Sequence, residues 1–185
     1  VTVDGVSHKI PEPFCVFATQ NPTGASGTQL LPDSQMDRFT VRLSIGYPAP
    51  ADEREILLSR QGGNPLLSVR QVVTREELVS MQQAASMVYL KPELADYIVS
   101  LVGRTRKDPM IARGASPRAT LSLGAMAKSV AYVQGRDFVL PKDIQAVFVS
   151  TCAHRLLLSP EADAKGLRAE ELLEQILKSV PAPKI

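Results

Sequence analysis

The sequence predicts a short α/β segment followed by a larger all-α domain, so that the chain is mostly helical. Before Gly46 there are two apolar runs, Phe14 to Thr19 and Phe39 to Ile45, whose aromatic and β-branched residues are typical of buried strands. After Pro50, apolar residues recur at helical spacing. The stretch from Gly46 to Pro50 favours neither pattern and predicts a linker. We therefore divide the chain into residues 1–46 and 47–185.

Length and composition suit a globular protein with a buried core. The 185 residues are 44% hydrophobic and 22% charged. The formal net charge of +2 is too small to argue for nucleic acid or an anionic membrane as a partner. No apolar run reaches the length of about 18 residues that indicates a membrane span, and the start has no signal-peptide pattern. We therefore expect no membrane span and no nucleic-acid partner.

Cysteine usage favours a reducing compartment. The two cysteines, Cys15 in the first predicted strand and Cys152 in a late helix, belong to no spaced Cys/His cluster. Both are expected to be buried and reduced, which predicts a cytoplasmic protein without a disulfide framework or a zinc site. Because the chain begins at Val1 without Met, we expect it to be a piece of a longer protein.

The first segment places an amide side chain at a strand end. Residues Val1 to Ile10 alternate apolar and polar side chains around Asp4-Gly5, which predicts a β-hairpin. Asn21 follows the first predicted strand, at the kind of position where open α/β sheets bind ligands. Asn21 is therefore a candidate to orient a water molecule or to touch a phosphate. The alternative is that Asn21 only begins a turn before Pro22.

A second candidate is an arginine at the end of a short helix. The helix is predicted to begin near Pro32 and to end at Arg38, directly before the strand that begins at Phe39. The two predicted strands would be neighbours in a parallel sheet whose other strands precede Val1. An arginine held between core strands can be presented at the domain edge, where a neighbouring subunit's phosphate could meet it. The alternative is a solvated surface charge.

The second part of the chain is predicted to be a series of helices. A capping box of Thr74 and Glu77 opens one of them. The basic cluster around Arg104 is expected to complement a helix dipole rather than bind nucleic acid, and His154 is expected to bind carbonyl groups. The predicted helices span residues 52–60, 74–88, 92–106, 117–132, 141–157 and 169–180. Residues expected to be packed or to face inward include Leu94, Ile98, Leu101, Ile144, Phe148, Thr151, Leu172 and Leu173. Ile56 and Leu57 are the apolar residues of the first, amphipathic helix, and the fourth helix runs through Leu121 and Leu123.

A third candidate is an arginine in the first turn of a helix. Ser116 suits the N-cap and Pro117 suits the first helical position, so a helix is predicted to begin here. Arg118 then lies among the free amide groups of the first turn, where the helix dipole disfavours a cation by about 0.3–1 kcal/mol. A bound anion would compensate for this. Because the penalty is small, a surface arginine without a function is the alternative.

Four ordered motifs resemble those of the MoxR family of AAA+ ATPases, and together they cover nearly the whole chain. They are ATQNP at 18–22, LPDSQMDRF at 31–39 with IGYP at 45–48, GASPRA at 114–119, and GRDFVLPKDI at 135–144. The resemblance implies that residues 1–46 are the carboxyl-terminal part of an αβα AAA+ core and that an all-α, helical-bundle lid domain follows. It also implies that Asn21 is the sensor 1 residue, Arg38 an arginine finger acting in trans, and Arg118 the sensor 2 residue, which meets the nucleotide of its own subunit.

The same resemblance implies a function for the intact protein. Its cofactors would be ATP and Mg²⁺, and it would assemble into a hexameric ring. Its chaperone-like activity would be the remodelling or maturation of proteins, and its partners would be von Willebrand factor A domain proteins. This chain contains no GxxxxGK(S/T) phosphate loop and no acidic metal-binding strand end, since Gly62-Gly63 is followed by Asn64-Pro65. We therefore expect the chain alone neither to bind ATP tightly nor to hydrolyse it. The alternatives are a non-enzymatic helical interaction module and a DNA-associated helical domain, which the near-neutral charge disfavours.

Overall fold

The structure is a computed structural model that describes residues 1–20 and 31–184. Most of the described chain is helical, as the sequence predicts. The elements are β1 (Thr2–Val3), β2 (Val6–Ser7), α1 (Asp33–Met36), α2 (Pro50–Ser59), α3 (Arg75–Met87), α4 (Pro92–Thr105), β3 (Ile111–Arg113), α5 (Pro117–Val133), α6 (Pro141–Cys152), β4 (Leu157–Leu158), α7 (Pro160–Ala164) and α8 (Ala169–Ser179). Within the described ranges, no helix combines the length and the apolar character needed to cross a membrane.

The chain opens with the predicted β-hairpin. Strands β1 and β2 pair antiparallel, with Val3 opposite Val6. Asp4 and Gly5, between the strands, have φ angles of 51° and 78°. Positive φ at both central residues is the signature of a type I′ turn, whose twist matches that of the flanking strands. The Asp-Gly pair therefore forms the hairpin for the reason the sequence suggests.

The two predicted core strands do not form in the described residues, so that prediction was wrong. Residues 14–20 and 39–45 have no strand assignment. Phe17 is 91% exposed and Ile45 is 99% exposed, and Cys15 is exposed rather than buried. A strand needs a neighbour to accept and donate its backbone hydrogen bonds, and neither segment pairs with another described segment. The β-rich pattern of both segments therefore remains without a sheet here.

Helices α3, α4, α5, α6 and α8 pack together, and we call residues 75–179 the helical bundle. Its core contains fully buried side chains at the predicted helical spacing, among them Leu94, Leu101, Ile144, Phe148 and Leu173. Leu121 lies in α5 as predicted, and its side chain is exposed. The buried stripe of α5 consists of Ala119, Leu123, Ala127 and Ala131, and Leu121 lies about 200° around the helix from Leu123.

The segment before the bundle exposes apolar residues. Helix α2 begins at Pro50 and has no buried residue, so Ile56 and Leu57, the apolar residues of the predicted amphipathic helix, are exposed. Short 3-10 helices follow at Arg60–Gly62 and Pro65–Ser68. Because α2 makes its main contacts only with the first of these 3-10 helices, its apolar side chains have little to pack against among the described residues.

One contact region joins the amino-terminal segment to the helical bundle. Helix α6 continues into a 3-10 helix at Ala153–Arg155, and this turn contacts α1. The amide of Arg42 donates to the carbonyl of Ser150 at 2.9 Å, and Arg42 also forms an ion pair with Glu170 of α8. The carboxyl-terminal end of α6 therefore holds the segment that carries Arg38.

Candidate functional site

Arg38 lies in a turn directly after α1. Its amide donates to the carbonyl of Gln35 at 3.1 Å, and the amide of Phe39 donates to the carbonyl of Met36 at 3.1 Å. The predicted short helix forms, but it ends at Met36, so Arg38 lies in the turn after the helix rather than at its end. The Arg38 side chain is exposed, and it forms no ion pair with any residue in the described ranges. This part of the chain thus presents a guanidinium group to solvent.

Asp37, the residue before Arg38, is anchored to the helical bundle. The Ser116 hydroxyl donates to both of its carboxylate oxygens, each at 3.1 Å. Arg155 Nη1 donates to Asp37 Oδ1 at 3.1 Å, and Arg118 Nη1 lies 3.7 Å from Asp37 Oδ2. Because Asp37 is only 26% exposed, these groups replace much of the hydration that its carboxylate has lost.

Arg155 is the most deeply buried charge of the site, with its side chain 0% exposed. Besides Asp37, its guanidinium group donates to the carbonyl of Thr151 at 2.9 Å, to the carbonyl of Phe39 at 2.7 Å and to the hydroxyl of Ser122 at 3.1 Å. Burial lowers the pKa of Arg155, and the Asp37 carboxylate opposes this shift. Since the pKa of an arginine starts far above neutral pH, Arg155 remains charged near pH 7.

His154 supports the same segment. Its Nε2 lies 3.0 Å from the carbonyl oxygen of Phe39, so Nε2 carries the hydrogen and donates it. Burial lowers the pKa of His154, and the hydrogen bond to Phe39 only partly opposes this, so the ring is neutral near pH 7. His154 was expected to cap carbonyl groups at the end of its own helix, but the carbonyl that it binds is that of Phe39.

Arg118 lies in the first turn of α5, as predicted. It is 51% exposed, and the anion beside it is the Asp37 carboxylate at 3.7 Å. An ion pair of this length and exposure contributes about 0–1 kcal/mol, so it leaves the guanidinium group free to meet another anion. Ser116 occupies the N-cap position but makes no capping hydrogen bond to α5, because its hydroxyl donates to Asp37 instead.

The loop before α5 explains the first residues of the GASPRA motif. A Cβ atom on Gly114 would lie 2.7 Å from the Cα atom and from the backbone nitrogen of Arg106, at the end of α4. Two hydrogen bonds hold the loop close to α4. The amide of Ala115 donates to Thr105 Oγ1 at 3.1 Å, and Arg106 Nε donates to the carbonyl of Ala115 at 2.8 Å. Close packing on α4 therefore fixes where α5 begins and where Arg118 stands.

The GRDFVLPKDI motif forms a buried ion pair at the other end of α6. Arg136 donates to both oxygens of Asp143, at 2.7 Å each, and the amide of Leu140 also donates to this carboxylate at 2.7 Å. Burial of Asp143 would raise its pKa, but the hydrogen bonds from Arg136 and Leu140 outweigh burial and leave the pKa lowered. This motif therefore holds the start of α6, whose far end carries Arg155.

The structure describes two of the three sequence-predicted site residues. Arg118 pairs with the Asp37 carboxylate and Arg38 follows Asp37 in the chain, whereas Asn21 lies outside the described residues. The sequence reasoning missed Asp37 and Arg155. A signal for Arg155 was present, because it continues the buried stripe of Ile144, Phe148 and Thr151 at helical spacing. A charge at a core position indicates a buried partner.

Two family models match the chain. The model described as the AAA lid domain matches residues 103–176, and the model described as the ATPase family associated with various cellular activities (AAA) matches residues 1–41. The first match contains Arg118 and Arg155, and the second contains Asn21 and Arg38. Both arginines that adjoin Asp37 are therefore in matched regions.

Relatives and a solved structure show similarity along the chain. The chaperone MoxR1 of Mycobacterium tuberculosis is 37% identical over 194 residues, which cover 100% of this chain and 51% of the relative. The uncharacterised protein YeaC of Bacillus subtilis is 36% identical over 183 residues, covering 99% and 57%. A crystal structure of a candidate ATPase from Cytophaga hutchinsonii matches with a TM-score of 0.90 and 32% identity, covering 100% of this chain and 58% of that one. The chain thus spans about half the length of the curated relatives it matches.

Proposed function

Because the chain belongs to the MoxR family of AAA+ ATPases, we propose that its parent protein hydrolyses ATP to remodel or mature other proteins. Residues 1–46 would be the end of the ATPase core, and residues 47–185 the lid. A chaperone among the relatives supports the remodelling role. The phosphate loop and the Mg²⁺-binding carboxylates would lie in the part of the parent that this chain does not contain, and ATP and Mg²⁺ would bind there.

The observation that carries this proposal is an anchored carboxylate with one exposed arginine next to it in the chain and another beside its side chain. Arg38 follows Asp37 in the chain, and Arg118 pairs with the Asp37 carboxylate at 3.7 Å. Both guanidinium groups are at the surface. An exposed cation suits a polyphosphate, because charge develops on the transferred group in the transition state.

The position of Arg38 supports a role in trans. Because the Arg38 side chain is exposed, it is available to a phosphate across a subunit interface, as in a ring, for which we expect six subunits. Asn21 would orient the attacking water in the pocket of its own subunit. Arg38 would stabilise the charge on the neighbour's γ-phosphate, as arginine fingers do in GTPases.

The contact between Arg118 and Asp37 bears on which nucleotide Arg118 meets. If Arg38 faced the neighbour's nucleotide and Arg118 faced its own, the two arginines would have to point at different subunit interfaces. Arg118 pairs with the carboxylate of the residue that precedes Arg38 in the chain, and this contact supports one shared interface instead. Our proposal for Arg118 therefore departs from the sequence-based assignment, and both arginines are expected to serve the same neighbouring pocket.

A subunit-mixing experiment with the full-length parent tests this proposal. Arg38→Ala and Arg118→Ala should each lower turnover, and each should regain part of it when mixed with subunits disabled in the phosphate loop. Mixed rings contain interfaces in which the intact pocket of the variant meets the intact arginine of the disabled subunit. Arg70→Ala, at an exposed linker arginine, is the matched control and should turn over normally.

The outcomes separate the two arginines. Rescue of Arg38→Ala but not of Arg118→Ala would place Arg118 at its own subunit's nucleotide. Normal turnover of Arg38→Ala would refute the proposal that Arg38 is an arginine finger. Light scattering with nucleotide bound would check the expected ring of six subunits.

The partner proposal rests on the family resemblance alone. We propose proteins with von Willebrand factor A domains as partners, and a pull-down with such a purified domain, in the presence and absence of ATP, would test it. A phosphate loop in the sequence before Val1 would separate the ATPase from the alternative of a non-enzymatic helical module.

A further inference from the structure

Arg38 lies between two residues that the helical bundle holds. On one side, the Asp37 carboxylate accepts from Arg155 Nη1 at 3.1 Å. On the other side, the Phe39 carbonyl accepts from Arg155 Nη2 at 2.7 Å and from His154 Nε2 at 3.0 Å. A single guanidinium group therefore binds the residues before and after Arg38, and we call residues 37–39 the Arg38 segment.

This grip depends on the shape of the arginine side chain. The guanidinium fork presents five N–H donors in one plane, whereas a lysine has a compact ammonium group that cannot span the same acceptors. Arg155 uses its fork on acceptors from Asp37, Phe39, Thr151 and Ser122. Two of these four belong to the Arg38 segment, so geometry at Arg155 fixes geometry at Arg38.

Burial makes the docked arrangement strongly preferred. The Arg155 side chain is 0% exposed, and removing the Asp37 segment would leave its charge without the partner that compensates it. The Arg38 side chain, by contrast, is exposed and is not itself held by the bundle. The segment is thus rigid on both sides of a side chain that remains available.

We infer that Arg155, assisted by His154, is a positioning residue for Arg38. By holding Arg38 in place, the lid of one subunit controls ATP hydrolysis in the next subunit. This inference rests on the proposed function of Arg38. Arg155 touches no nucleotide in this scheme, and it acts by holding the residues on either side of Arg38. A misplacement of about 1 Å at such a site costs on the order of 10²-fold in rate.

The test is a double-mutant cycle in the full-length parent. Arg155→Lys should lower turnover by about 10²-fold with unchanged nucleotide affinity. In the Arg38→Ala background the same change should have almost no further effect, within about twofold, because its target is gone. Mixing Arg155→Lys subunits with subunits disabled in the phosphate loop should restore turnover, as for Arg38→Ala.

A matched control distinguishes positioning from general docking. Arg113 forms a surface ion pair with Asp33 of α1, at 2.6 Å, and so also joins α1 to the bundle. Both side chains of this ion pair are more than half exposed, so Arg113→Lys should leave turnover unchanged. Equal losses for Arg113→Lys and Arg155→Lys would overturn the inference.

A second variant covers the case in which Arg155→Lys does not fold. His154→Ala removes one donor to Phe39 and should lower turnover, while His154→Gln supplies an amide donor and should restore much of it. Normal turnover of His154→Ala would overturn the inference. So would a double variant, Arg155→Lys with Arg38→Ala, whose loss of turnover equals the product of the two single losses. Normal turnover of Arg38→Ala would instead refute the proposed function.

Discussion

Replacing Gly114 by alanine should lower the free energy of unfolding of this chain by about 2 kcal/mol. The new Cβ atom would lie 2.7 Å from backbone atoms of Thr105 and Arg106, which cannot rotate away as a flexible side chain could. If the backbone stays in place, overpacking of this kind costs about 1–3 kcal/mol. If the loop moves instead, two hydrogen bonds between the loop and α4 weaken, each worth about 0.5–1.5 kcal/mol. Both routes therefore lead to a similar loss.

Gly124 provides a matched control with the opposite sign. It lies inside α5, and a Cβ atom there would meet only Ile98 Cδ1, at 4.0 Å. Alanine in a helix interior is more favourable than glycine by about 0.5–1 kcal/mol, so Gly124→Ala should stabilise the chain. The same substitution at two glycines near α5 is thus expected to act in opposite directions.

Urea denaturation followed by circular dichroism would measure both changes. For a protein of this size, a loss of 2 kcal/mol corresponds to a fall of about 4–8 °C in melting temperature. Stabilities of Gly114→Ala and Gly124→Ala that agreed within about 0.5 kcal/mol would refute the argument that close packing on α4 requires Gly114.

Further predictions concern nucleotide binding, assembly, acid stability and thiol reactivity. Calorimetry with Mg-ATP should detect no tight binding by this chain, because it lacks a phosphate loop, and micromolar affinity would contradict this. Light scattering should find the chain monomeric or weakly associated, since Arg38 has no neighbour's nucleotide to bind; a stable hexamer would argue otherwise. The lowered pKa of Asp143 means that its contribution to stability is present above the unfolded-state pKa, near 4, and is lost as pH falls through the folded-state pKa. Asp143→Asn should therefore destabilise the chain at pH 7 and differ less from wild type near pH 3, and an equal difference at both pH values would refute this. Burial raises the pKa of Cys152 to about 12, so a thiol reagent should modify exposed Cys15 in the native chain and Cys152 only after unfolding.

The helices of the bundle could be predicted because their stabilising pattern is local. The Thr74–Glu77 capping box forms as expected, with the Thr74 amide donating to Glu77 at 2.7 Å and the Glu77 amide donating to Thr74 at 3.2 Å. Proline at the first position also marks the starts of α5 and α6. Such signals act within one helical turn, so the sequence around them suffices.

The missing strands and the misjudged Ser116 depend on partners that are distant in the sequence. Residues 14–20 carry a strand pattern, but a strand forms only beside another strand. Ser116 has the residue type and the position of an N-cap, yet its hydroxyl donates to a carboxylate 79 residues away in the chain. Asp37 and Arg155 were missed for the same reason, since their pairing spans 118 residues. Sequence motifs therefore located Arg38 and Arg118, but not the residues that connect them.

Helix α6 connects the ion pair of Arg136 with Asp143 to the turn that carries Arg155. Its 12 residues form a rod of about 18 Å. The ion pair of Arg136 with Asp143 fixes one end, and the other end continues into the turn that carries Arg155. A tilt of about 10° around the fixed end would displace the far end by about 3 Å, comparable to the whole length of a hydrogen bond. A tilt of α6 by this amount is therefore enough to break or form the contacts that Arg155 makes with Asp37 and Phe39.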